Sequence, residues 1–199
     1  MNKSIILIAV LFITNSCIAQ DFSTNINTAK SSYKSGKLED AHFALQKAMQ
    51  ELDMIIGKEV LKLLPAKMDT LSVNTNDDNV SSNVGFVGAT VSRSYGKYDR
   101  KAELSIISNS PMVAMLNSLF NSPLLAGMNN DPNSKTIKVQ GYKAKLERKN
   151  SNVDGKFDYE VQVPLGSALI TFSVDETNEN EITAMMNTIP LAQIAKLIQ

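Results

Sequence analysis

The residues best suited to bind an anion lie together in the segment TVSRSYGKYDR. The chain has only three arginines, and two of them, Arg93 and Arg100, occur here. Tyr95 follows Arg93 by two residues, and residues two apart in a strand lie on the same face. Because a guanidinium can hold a carboxylate or a phosphate through two hydrogen bonds, Arg93 and Tyr95 are candidates for an anion-binding or catalytic site. A solvated strand face followed by a turn through Tyr98 and Asp99 explains the same residues.

No other residues form a recognisable catalytic set. His42 is the sole histidine, whereas a zinc site needs three or four ligands and a Ser–His–acid triad needs positioned partners. Asp77 and Asp78 are adjacent, but they lie in a polar segment where burial is not expected. The sequence therefore predicts no cofactor and favours a protein that is not an enzyme.

Residues 150–155 resemble the beginning of a calcium-binding loop. Asn150, Asn152 and Asp154 fall at the first, third and fifth places, and Gly155 falls at the sixth. The first place lacks a carboxylate, and the twelfth is Val161 where such loops have glutamate. A hairpin turn at Asp154 and Gly155 explains the same residues. We therefore predict no metal site.

The clearest internal repeat is the doubled sequence Asn-Ser-Pro, at residues 109–111 and again at 121–123. Each serine can cap a helix, and each proline suits the first helical position. The helices that would follow are rich in methionine and leucine, which together adapt to varied apolar partners. The candidate surface for a partner protein or an apolar ligand consists of Met112, Met115, Leu119 and Phe120. A helix that covers the open face of a sheet is the alternative.

The first 19 residues have the pattern of an export signal. Lys3 precedes an apolar run at residues 5–13, which is shorter than the roughly 20 residues that span a bilayer. Cys17 and Ala19 are small residues at the two positions that a signal peptidase requires, so cleavage between Ala19 and Gln20 would release a periplasmic or secreted protein. Cleavage before Cys17 would instead leave a lipid-modified cysteine and an outer-membrane lipoprotein.

The composition excludes two classes of partner. The chain carries 20 basic and 20 acidic side chains, and removal of Lys3 with the signal leaves the remainder close to neutral. A near-neutral protein without a basic stripe is not expected to bind nucleic acid. No second apolar run approaches bilayer length, so a membrane span is not predicted. The oligomeric state is left open.

The region 20–66 is predicted to be a helical hairpin that packs on the rest of a single domain. Apolar residues recur at spacings of three and four, the turn is expected at Ser35-Gly36-Lys37, and Gly57 marks a bend. Pro65 is expected to end the second helix. The apolar stripe comprises Leu38, Ala41, Leu45, Ala48, Leu52, Ile55 and Ile56.

The region 67–199 alternates between apolar and polar residues, as an antiparallel sheet with one buried face does. We expect a short strand at residues 71–73, a flexible loop, and then longer strands, giving about five or six in all. Two short helices close the chain. The predicted fold class is α+β, an antiparallel sheet covered by the long N-terminal helix of the hairpin and by shorter helices. This order of elements resembles the Mog1/PsbP-like fold.

Four segments resemble a family of uncharacterised exported bacterial proteins. They are EVLKLLPAKMDTL, GFVGATVSRSY, ISNSPMVAMLNSLFNSPLLAGM and TIKVQGYKAKLE, and the similarity extends in order over most of residues 50–199. The family has no established activity, so the resemblance implies export but assigns no catalytic residue.

Overall fold

The computed structural model describes residues 16–83, 88–97, 100–120 and 131–198, with the backbone alone at 16–20 and 119–120. Lys3 and the apolar run of the predicted export signal lie outside these residues. The chain divides into two units, one ending at Ile55 and the other beginning at Ile56.

The first unit contains two helices joined by a tight turn. α1 spans Ser16–Lys34 and α2 spans Leu38–Leu63, so α2 continues into the second unit. Gly36 adopts a φ of 72°, and the backbone N–H of Lys37 donates to the carbonyl of Ser32, which confirms the predicted turn. Among the side chains described for this unit, the buried apolar ones are alanines, whereas the leucines of the predicted stripe at positions 38, 45 and 52 are exposed.

Over its described residues, the second unit is built on one antiparallel sheet of eight strands, in the order β1-β2-β3-β4-β8-β7-β6-β5. The predicted α+β class and antiparallel pairing are confirmed, whereas the predicted number of five or six strands is wrong. The strands are β1 Lys67–Met68, β2 Leu71–Asn83, β3 Gly88–Lys97, β4 Arg100–Ser108, β5 Ser134–Val139, β6 Tyr142–Asn150, β7 Phe157–Leu165 and β8 Ala168–Val174. Three more helices are described: α3 Pro111–Phe120, α4 Glu179–Met186 and α5 Leu191–Ile198.

Three differences separate the predicted strands from the observed ones. The predicted flexible loop is the larger part of β2, which pairs with β3 as far as Asn83 and contains an irregularity between Asn74 and Asn79. Residues 136–149, whose sequence alternates as one long strand would, form a hairpin of two strands, because Gln140 and Gly141 both have positive φ and form a two-residue turn. A short strand at Lys67–Met68 adds the eighth.

The hydrophobic core of this unit lies on one face of the sheet. In β8, for example, Ala168, Ile170, Phe172 and Val174 are buried while the residues between them are half-buried. The helical side of this core comes from α4, α5 and the end of α2. The prediction that a long N-terminal helix covers the sheet is therefore wrong in extent, because most of the side chains that cover it belong to the C-terminal helices.

Gly57 allows α2 to lie close to the sheet. A Cβ atom at this position would stand 2.4 Å from Cγ1 of Val80 on β2. The helix remains continuous through Gly57 and ends at Leu63, before Pro65 as predicted. The glycine therefore serves close packing between helix and strand.

Candidate functional site

The helix α3 is held to the β7–β8 turn by polar side chains. Ser110 precedes the helix, and its hydroxyl accepts a hydrogen bond from the N–H of Val113 at 3.3 Å, as a helix cap does. The backbone N–H of Ser110 donates to the carbonyl of Ser167. Nδ2 of Asn117 donates to the carbonyls of Gly166 and Ala168, at 2.8 and 3.1 Å. Three residues on one helix face, Ser110, Val113 and Asn117, are buried, and two of them are polar.

The opposite side of α3 presents large apolar side chains to solvent. Met115 is 56 % exposed and Leu116 is 39 % exposed, while Met112 is half-buried. No residue of α3 carries a charge. We call Met112, Met115 and Leu116 the α3 apolar surface. The structure thus joins two of the predicted surface residues, Met112 and Met115, and adds Leu116.

The other residues predicted for this surface fall outside the described side chains. Leu119 and Phe120 belong to the last turn of α3 by their backbone alone, and the second Asn-Ser-Pro copy lies within residues 121–130. Sequence reasoning also missed Asn117 as the anchor of the helix. A signal was available, because Ser110, Val113 and Asn117 are spaced by three and four residues and therefore share one helix face.

Arg93 is a buried residue of β3 whose guanidinium is already paired. Its Nε and Nη2 donate to the two carboxylate oxygens of Asp78, at 2.8 and 2.6 Å, and Nη1 donates to the carbonyl of Leu64 at 3.2 Å. The side chain of Arg93 is only 9 % exposed and that of Asp78 only 17 % exposed. Asp78 raises the pKa of Arg93 above its ordinary value. The contacts tie β3 to the β2 irregularity and to the end of α2.

Tyr95 lies on the same buried face as Arg93, as strand alternation predicts. Its side chain is fully buried, and within the described part of the chain its hydroxyl has no hydrogen-bond partner. Burial raises the pKa of Tyr95 to about 12, and the positive charge of Arg93 opposes only part of that rise. A second cluster lies beside this pair on β2 and β3, where Ser94 donates to Asp77 at 2.6 Å and Asn74 donates to Ser94 at 3.1 Å.

The predicted anion site at Arg93 and Tyr95 stays a prediction. An anion would meet a buried guanidinium that already uses three of its five N–H donors, two on Asp78 and one on the carbonyl of Leu64. Arg100 is not brought to Arg93: its Nη2 donates to Glu181 and to Thr177 beside α4. Tyr98 and Asp99 lie outside the described residues.

The remaining sequence candidates are dispersed. His42 is exposed on α2. Residues 151–156 form the loop between β6 and β7, where Gly155 has a φ of 75° and Lys156 N–H donates to the carbonyl of Val153. Over the described ranges, no group of three or more histidine, cysteine, aspartate or glutamate side chains could hold a metal ion.

Cys17, Ala19 and Gln20, the residues of the two predicted cleavage sites, belong by their backbone to the first turns of α1. Among the helices of the described chain, none is both long enough and apolar enough to cross a membrane.

The chain was compared with protein-family models, with curated proteins and with solved structures, and it matches none of them.

Proposed function

We propose that this protein is an exported, non-enzymatic binding domain that docks a partner protein on the α3 apolar surface. The observation that carries the proposal is the orientation of α3. Its buried face holds Ser110, Asn117 and one apolar side chain, Val113, whereas the larger Met115 and Leu116 are exposed. A helix that served only to cover the sheet would bury its largest apolar side chains, since that burial is what stabilises such a packing.

The chemistry of α3 suits a protein partner. The centre of a protein interface is depleted of charged residues and enriched in methionine, and α3 has no charge and exposes Met115. A flexible thioether side chain fits irregular apolar surfaces. Met115 and Leu116 stand outward from the helix, an arrangement that favours a broad protein surface over an enclosed small ligand. The apolar ligand remains the alternative occupant.

The proposed location is the periplasm or the exterior of the cell, after cleavage between Ala19 and Gln20. The support is the sequence pattern of the first 19 residues. The alternative is a structural component of the cell envelope that is anchored through a lipid on Cys17.

A matched pair of substitutions tests the binding surface. Leu116 on α3 and Leu197 on α5 are 39 % and 37 % exposed, so replacing either with serine should change the free energy of unfolding by a similar, small amount. We expect Leu116→Ser, but not Leu197→Ser, to lose the partner that copurifies with the wild-type protein from its native host. The identified partner is then purified and its Kd measured for both variants. Equal Kd values for the two variants would contradict the proposal.

A further inference from the structure

A cleft of about 150 Å³ opens beside the edge of the sheet, between the β5–β6 hairpin and the beginning of α4. It belongs wholly to the second unit. Its walls come from three places: the residues just before β5, the strands β5 to β7, and the first residue of α4. The side chains that line it include those of Asn133, Lys135, Leu146, Arg148, Tyr159 and Glu179.

Arg148 is fixed in this cleft by one edge of its guanidinium. Nε and Nη2 both donate to Oδ1 of Asn133, at 3.2 and 2.8 Å. The centre of the guanidinium lies 4.7 Å from the centroid of the Phe157 ring, at cation–π distance. A guanidinium has five N–H donors, and Asn133 uses two of them on the side-on edge. Among the contacts of the described residues, nothing occupies the end-on edge formed by Nη1 and the second hydrogen of Nη2.

The rest of the cleft provides a second cation and an apolar floor. Lys135 carries its ammonium group at the rim, paired with Glu179 at 2.7 Å. Leu146 is buried beneath, and the half-buried ring of Tyr159 stands beside it. Tyr159 is the register partner of Arg148, and Leu146 is that of Lys135, so these side chains share one face of the sheet.

We propose that this cleft binds a small carboxylate that carries a short apolar group. The end-on edge of Arg148 presents two parallel N–H donors, a geometry that matches the two oxygens of a planar carboxylate. Arg148 is exposed, and its contacts with Asn133 and the Phe157 ring favour this orientation of the guanidinium, which reduces the side-chain entropy lost on binding. Leu146 and the Tyr159 ring contact the apolar group. The carboxylate of Glu179 competes with the ligand for Lys135 and so limits the affinity of the cleft for that ligand.

The test is an NMR titration of the full chain with sodium propionate, at an ionic strength held constant with sodium chloride. The Nε–H resonance of Arg148 and the backbone resonances of β6 and β7 report occupancy. We expect saturable shifts at these positions. Saturation by inorganic phosphate without saturation by propionate would overturn the assignment to carboxylates, and the absence of saturation by either would overturn the site.

Three variants separate the site from general charge effects. Arg148→Lys keeps the charge but removes the paired donors, and we expect propionate affinity to fall about tenfold or more. Lys149→Gln removes one positive charge from the adjacent residue, which pairs with Glu160, and should leave the affinity unchanged. Glu179→Gln frees Lys135 and should raise the affinity roughly threefold. Equal weakening by Arg148→Lys and Lys149→Gln would contradict the proposal. The outcome is independent of partner binding at α3.

Discussion

Arg93 and Asp78 place opposite charges where little water reaches them, and they share two hydrogen bonds. Loss of either partner leaves the other charge buried without compensation. We expect Arg93→Ala to lower the free energy of unfolding by about 3 to 5 kcal/mol, because the carboxylate of Asp78 then has to be desolvated alone. Urea unfolding monitored by circular dichroism measures the change.

A double variant serves as the control for this pair. Arg93→Met combined with Asp78→Leu removes both charges and should recover much of the stability that Arg93→Ala loses. If Arg93→Ala is as stable as the wild type, the pair contributes nothing to folding, and the interpretation of Arg93 as a binding residue gains support instead.

Because the phenol of Tyr95 is buried, we predict that the protein loses stability at alkaline pH. Its folded-state pKa is about 12, above the ordinary value of 10.0, because burial disfavours the phenolate. The folded protein therefore retains this proton while the unfolded chain releases it. The contribution of Tyr95 is fully present below pH 10 and is lost as the pH rises towards 12, by about 2 to 3 kcal/mol in total. Lysines titrate in the same window, so the comparison must be made between variants.

Tyr95→Phe isolates the phenol. The variant should unfold with a weaker dependence on pH between 10 and 12 than the wild type. At pH 7 its free energy of unfolding should be unchanged or higher by about 1 kcal/mol, because the hydroxyl is buried without a hydrogen-bond partner in the described structure. A loss of more than 1 kcal/mol at pH 7 would mean that the hydroxyl makes a hydrogen bond that stabilises the fold.

At the scale of elements, the close approach of α2 to β2 depends on Gly57. Alanine would raise helix propensity by about 1 kcal/mol, but its Cβ would stand 2.4 Å from Cγ1 of Val80 and 3.1 Å from Cγ2 of Val91. Overpacking of this kind costs about 1 to 3 kcal/mol. We therefore expect Gly57→Ala to lower the Tm of the protein, as measured by calorimetry.

Gly57→Ala should have the opposite effect on the Tm when Val80 is replaced by alanine. In a Val80→Ala background the methyl group at 2.4 Å is gone and Cγ2 of Val91 at 3.1 Å is the nearest that remains, so Gly57→Ala should raise the Tm relative to Val80→Ala alone. A decrease in both backgrounds would show that the limit is set by something other than Val80.

The strand β2 shows why some elements escape prediction from sequence. Its residues are mostly asparagine, serine and aspartate, and they resemble a loop because neither face alternates clearly. The strand forms because β3 pairs with it on both sides of the irregularity, and Asp78 is half-buried because its carboxylate pairs with Arg93. That pairing is a tertiary contact over 15 residues of chain, which local periodicity does not report. By contrast β4, β7 and β8 alternate strongly and were predictable.

At the scale of the whole molecule, we expect the protein to be exported, and the mass of the chain purified from its host tests this expectation. We predict that protein taken from the native host begins at Gln20 and carries no covalent adduct. Intact-mass spectrometry measures both properties together. A chain that begins at Cys17 with the added mass of acyl groups would place the protein on a membrane surface and favour the structural envelope role.

The α3 apolar surface illustrates the limit of sequence reasoning at this scale. Methionine and leucine at positions 112, 115 and 116 indicate an apolar helix, but a core helix and a docking helix have the same composition. The orientation of α3 is not visible in that composition: the amide of Asn117 donates to two carbonyls at the β7–β8 turn and so holds this side of the helix inward. The fold class was predictable because it depends on local alternation, whereas this orientation depends on contacts about 50 residues apart along the chain.

The most direct test of the proposed function is cross-linking in the native host from a photoreactive amino acid placed at Leu116 or, as the control, at Leu197. Both positions are similarly exposed, so random collisions should label them equally. We predict one discrete protein adduct from position 116 that is absent from position 197. Identical adduct patterns at the two positions, or no protein adduct at position 116, would contradict the assignment of the α3 apolar surface as a docking site.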